Sequence, residues 1–103
     1  MLITISTPHL SDADKQLLIS ASEQPAANIW VIFNGDGVYA PALEAAFFQT
    51  LPNLEDNESM LNFAFVSNDA IARGVNMPKH IKAVSNSEFA TISAKHKHWI
   101  PLS

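Results

Sequence analysis

The stretch Asn28-Ile29-Trp30-Val31-Ile32-Phe33 shows no alternation of apolar and polar side chains. A strand with one face in water would alternate, because successive side chains point to opposite faces. A run that stays apolar is buried on both faces, as in a parallel sheet covered by helices. The run stops at Asn34-Gly35-Asp36-Gly37, and Val38-Tyr39-Ala40-Pro41 follows. Asn-Gly and Asp-Gly are each hairpin signals, but VYAPALEAAF supplies no alternating return strand. Pro41 suits the first position of a helix, and Ala42–Gln49 is rich in helix formers. The segment therefore reads as strand, turn, helix, the repeating unit of a parallel α/β sheet.

Working outward, Met1–Ser6 is a branched-rich strand that Thr7-Pro8-His9 interrupts. Ser11-Asp12-Ala13-Asp14 opens a helix of about 12–23, with small polar caps and acid in its first turn. Ala13, Leu17, Leu18 and Ala21 share one side of it, and Pro25 closes it. Pro52–Ser59 is acidic and aperiodic, an exposed loop. Met60–Val66 is a third strand; Ser67-Asn68-Asp69 caps a short helix Ala70–Arg73 that Gly74 ends. Met77–His80 reads ambiguously. Ile81–Val84 is a brief fourth strand. Asn86 or Ser87 caps a helix of about 87–96, with Glu88 near its start and Lys95 near its end. Trp99–Leu102 is a fifth strand that Pro101 confines to an edge. The expectation is one α/β domain over residues 1–103, doubly wound, with a mainly parallel sheet of about five strands flanked by helices and right-handed crossovers.

The chain has 103 residues, 48 % hydrophobic and 16 % charged, a composition that fits one well-buried domain. No apolar run approaches the roughly 18 residues of a membrane span. The opening MLITISTPHL has no basic n-region and no long apolar region, so no secretory signal is expected, and the expected location is cytoplasmic. The net charge of −4 is unevenly placed. Lys15 is the lone base before Arg73, against nine acids; Arg73, Lys79, Lys82, Lys95 and Lys97 then face only Glu88. One acidic and one basic face follow, either simply solvated or built for electrostatic docking to a protein or an RNA. There are no cysteines. That excludes disulfides, thiolate catalysis, a carried persulfide and Cys-based zinc sites.

In a doubly wound sheet, ligands bind outside the carboxyl ends of the strands. Thr7-Pro8-His9, Asn34–Gly37 and Ser67-Asn68-Asp69 should gather on that rim. Asn34–Gly37 lacks the spacing of a phosphate loop or a calcium loop. Two readings remain for it: a turn whose glycines permit positive φ, or a contact for a partner or small ligand. Asp36, Asp69 and His9 could share the rim as acid–base groups, although no nucleophile is matched to them. His96 and His98 are spaced for a metal only on a strand, with lysines beside them; Phe89, Ile92 and His96 instead form a helical stripe, so His96 reads as a packed, hydrogen-bonded residue. Trp30, Trp99, Phe33, Phe63 and Phe65 read as core. Phe47 and Phe48 are adjacent on a helix and cannot both face one core. One should be exposed and covered by an interface, or else tucked under the following loop.

Four stretches in this order carry a resemblance: MLITISTPH, VIFNGDGVYA, FVSNDAIARGV and EFATISAKH. Together they resemble the DsrH/TusB group within the DsrE/DsrF-like fold, over nearly the whole chain. The resemblance implies a cytoplasmic sulfur-relay subunit that joins TusC-like and TusD-like partners in a heterohexamer. That complex serves 2-thiolation of the tRNA wobble uridine, with tRNA touched only indirectly; the Dsr branch serves sulfur oxidation. The relay cysteine resides chiefly on the TusD-like partner. Some DsrH members carry one on the first helix, where this chain has Leu17, Leu18 and Ala21. The expectation is thus a non-catalytic subunit with no cofactor and no metal. Its interface candidates are Asp36, Gly37, Tyr39, Phe47, Phe48, Arg73, Lys95, His96 and Trp99. The alternatives are a small-ligand α/β module, a divergent homo-oligomeric member (the isolated chain forming a homodimer), or an enzyme using Asp36 and a histidine.

Overall fold

The structure, a computed structural model, describes residues 2–22, 29–50, 61–77 and 81–102. The expectations for Met1, Pro25, the Pro52–Ser59 loop, Met60 and residues 78–80 lie outside the described residues. Five strands form one sheet: β1 (Leu2–Ile5), β2 (Ile29–Phe33), β3 (Leu61–Val66), β4 (Lys82–Val84) and β5 (Trp99–Leu102). Their order is β4-β3-β2-β1-β5, and every pairing is parallel. The sheet is therefore wholly parallel, not just mainly so. β5 is an edge strand beside β1, as Pro101 requires.

The helices are α1 (Asp12–Ser22), α2 (Ala40–Leu43), α3 (Ala45–Thr50), α4 (Ser67–Arg73) and α5 (Asn86–Lys95), with a 3₁₀ turn over Gly35–Tyr39 leading into α2. From β1 to β4 the strands advance in one direction, and right-handed crossovers put α1 to α4 on one face. The step from β4 to β5 reverses across the sheet, so α5 lies alone on the other. The packing agrees. Ile3, Ile5, Val31, Phe33 and Phe63 meet Leu18, Phe48 and Ala70 on the first face. Leu2, Ile32, Ala64, Val66 and Val84 meet Phe89 and Ile92 of α5 on the second. Residues 31–33 are fully buried, which confirms β2 as the two-faced central strand.

Several local readings need correction. The helix expected over Ala42–Gln49 is broken at Glu44, whose backbone leaves helical geometry (φ −112°, ψ 29°). Ser85, not Asn86 or Ser87, caps α5: its Oγ accepts the Glu88 N–H while Glu88 Oε1 accepts the Ser85 N–H, both at 3.1 Å. The Ser67-Asn68-Asp69 stretch is the first turn of α4 rather than its cap, and no side chain caps that helix. Gly74 ends α4 in the left-handed region, φ 66°, as expected. Ala13 is exposed. Leu18 and Ala21 bury the stripe, while Leu10, just before the helix, fills the core at that end. Among the described residues no helix is long and apolar enough to cross a membrane.

Candidate functional site

At the carboxyl ends of β1, β2 and β3 the glycine turn folds over the sheet. Asn34 stays extended, and its N–H donates to the Ile5 carbonyl at 3.0 Å. Gly35 takes φ 53°, which a Cβ would strain. Its N–H donates to Asp69 Oδ2 at 2.8 Å. Gly37 is buried for a different reason: a Cβ there would overlap the Ile5 carbonyl. The two glycines thus let the turn lie flat on the end of β1 and reach across to α4. Asp36 closes the rim by accepting from Arg73 Nε at 3.0 Å, and Arg73 Nη1 also donates to the Asp69 carbonyl at 3.2 Å. The Asp36 side chain is 64 % exposed, so water screens this pair and it contributes at most about 1 kcal/mol. Its effect is to hold α4 against the turn.

Two of the three expected rim loops meet in this way, the Asn34–Gly37 turn and the start of α4. The Thr7-Pro8-His9 loop is drawn elsewhere, because His9 Nδ1 lies 3.5 Å from Glu44. Asp36 and Asp69 are committed to Arg73 and Gly35. The rim therefore offers no converging acid–base trio.

Glu44, which no sequence reading singled out, is the best-connected carboxylate among the described residues. Lys15 Nζ lies 3.2 Å from Oε2, and the Leu10 N–H donates to Oε1 at 3.5 Å. The Lys15 ammonium above all, then the Leu10 amide and His9, outweigh burial and hold this carboxyl below its ordinary value of 4.5. The kink between α2 and α3 sits at Glu44, so the cluster fixes these helices to the start of α1. Lys15 as the lone base among nine acids was the available signal.

The other interface candidates separate. Tyr39 is half-buried at the end of the 3₁₀ turn. Phe48 is buried, with its ring centroid 5.5 Å from Phe33 and 6.0 Å from Phe63. Phe47 is half-buried rather than exposed; it packs on the core with Lys15 Nζ 5.7 Å from its ring centre. Among the described residues the exposed large apolar side chains are instead Leu43, Ile71 and Trp99. Lys95, His96 and Trp99 lie at the amino end of the sheet, where the Leu2 N–H donates to the His98 carbonyl at 2.8 Å. Partial burial pushes the His96 imidazole below its ordinary value of 6.5. Asp36, Gly37, Tyr39 and Arg73 thus gather at the carboxyl end of the strands and Lys95, His96 and Trp99 at the amino end, while Phe47 and Phe48 belong to the core packing of the four-helix face. Among the described residues no cluster of three metal-ligating side chains forms.

The fold and its rim define a small, all-parallel α/β protein of the DsrE-like kind, tied off by its own ion pairs. A family described as DsrH like protein matches residues 10–99, and the chain belongs to that family. No curated protein matches the chain.

Proposed function

We propose that this chain is a non-catalytic subunit of a sulfur-relay complex. Membership of the DsrH-like family supports a sulfur-relay role. The observation that carries the finer reading is the absence of cysteine from all 103 residues. A migrating sulfane sulfur travels on a thiolate, and no side chain here can hold one. The contribution is then architectural: the chain positions a partner whose cysteine carries the persulfide. By its resemblance those partners are TusC-like and TusD-like subunits, assembled as a cytoplasmic heterohexamer that serves 2-thiolation of the tRNA wobble uridine. The rim supports a subunit over a small-ligand module, because Asp36 and Asp69 are already engaged by Arg73 and Gly35.

The test is co-expression with the TusC-like and TusD-like proteins of the same organism, followed by gel filtration and transfer of labelled sulfur from a cysteine desulfurase. The expected result is one complex containing this chain, with label on the TusD-like subunit alone. If this chain elutes by itself while the other two associate, or accepts labelled sulfane sulfur in isolation, the reading is wrong.

A further inference from the structure

The single-helix face carries a cleft beside α5. Five strands about 4.8 Å apart span roughly 19 Å, and one helix is about 10–12 Å wide with its side chains. α5 therefore leaves both flanks of its face thinly covered. On the β5 flank Trp99 stands 51 % exposed. Its Nε1 donates to Thr4 Oγ1 at 3.0 Å and its ring meets Phe89 edge-on at 6.3 Å, so the indole is fixed in place. On the β4 flank a cleft of about 320 Å³ opens between α5 and the sheet, with Trp30 and Ile92 as apolar walls and Lys82 at its side.

Charge tells what would cover this face. On the four-helix side Lys15 and Arg73 are each ion-paired, to Glu44 and Asp36. Lys82, Lys95 and Lys97 form no ion pair among the described residues, and the one acid of α5, Glu88, is committed to its capping box. A cleft lined by Lys82 as well as Glu88, on the same face as a half-exposed indole and the lysines at the end of α5, which have no ion pair among the described residues, complements an apolar residue set among acids. We infer that the α5 face, with Trp99, the Trp30–Ile92 cleft and Lys82, Lys95 and Lys97, docks an acidic, apolar-centred surface of a partner protein. This rests on the subunit reading above and deepens it by assigning the face. A second copy docked across a two-fold would set lysine against lysine. A nucleic acid would set its phosphates against the apolar floor of the cleft, which offers them no partner.

The experiment measures affinity of the full chain for the TusC-like and TusD-like pair in 0.15 M salt, by calorimetry or gel filtration. K82E/K95E/K97E should weaken binding by about a hundredfold and Trp99→Ala by about tenfold, while the rim variant Arg73→Glu stays within about twofold. Because the lysines are exposed, the triple variant should keep the wild-type far-UV spectrum and melting temperature. Wild-type binding that survives the triple reversal, or is lost instead in Arg73→Glu, overturns the face assignment and leaves the subunit reading standing. Failure of the wild-type chain to bind the pair overturns both. A single-stranded RNA that displaces the pair, or a dimer of the isolated chain that the triple variant dissolves, also overturns the assignment, in favour of nucleic acid or a second copy.

Discussion

The two faces of the sheet differ in how they are closed. α1 to α4 cover one, and its bases among the described residues are matched to acids: Lys15 to Glu44, Arg73 to Asp36. α5 alone covers the other, which keeps a half-exposed tryptophan and three lysines without ion pairs among the described residues. The cause is the single reversal of strand order at β5. Three crossovers stack on one side, and only the last returns on the other. The comparison teaches that, among the described residues, the layers differ in charge: one pairs its bases and the other leaves three lysines unpaired, while exposed apolar side chains occur on both, Leu43 and Ile71 on the first and Trp99 on the second.

If that division holds, substitutions in the closed layer should unfold the protein and those in the open layer should leave it folded. The largest effect should come from Phe48→Ala, which removes a ring packed between Phe33 and Phe63. A loss of about 3–5 kcal/mol in urea unfolding is expected; less than about 1 kcal/mol would break the comparison. Gly37→Ala comes next, at about 3 kcal/mol, since its Cβ must displace the backbone of Ile5.

Glu44→Gln should cost about 1–2 kcal/mol at pH 7, because it leaves Lys15 without its charged partner. The native carboxyl of Glu44 is depressed below 4.5. The wild type is therefore stabilised above that value, and the advantage is lost as pH falls through the native value. Wild type and Glu44→Gln should converge in acid; a gap that persists there would show that the lost contact is not electrostatic. Gly74→Ala, at a φ of 66°, should cost about 1 kcal/mol. Last, Lys82→Glu should change stability by less than about 0.5 kcal/mol. A larger loss would mean that the open layer is structural after all.

Much of this architecture was legible in the sequence, for physical reasons. The unbroken apolar run Ile29–Phe33 can only sit in a sheet covered on both sides, and Pro101 can only sit at an edge. Gly74 marked the end of α4 because the left-handed position favours glycine. The break at Glu44 was not legible, since it depends on Lys15, His9 and Leu10, some thirty residues away. The α5 cap was legible and missed: Ser85-Asn86-Ser87-Glu88 carries the serine-to-glutamate spacing of a capping box. At the site, topology put the Asn34–Gly37 turn beside Ser67-Asn68-Asp69, but it could not show that Asp36 pairs with Arg73 or that Lys95, His96 and Trp99 lie at the other end of the strands. Of the adjacent Phe47 and Phe48, helical spacing could not say which would be the less buried, nor that a lysine from α1 would lie over the Phe47 ring.

Hydrogen exchange on the chain alone and with saturating TusC-like and TusD-like subunits tests the division of the two layers most directly. The account predicts that amides of α5, β4 and β5 slow on complex formation while those of α1 and α3 keep their rates. Slowing confined to α1 and α3, with α5 unchanged, would contradict it.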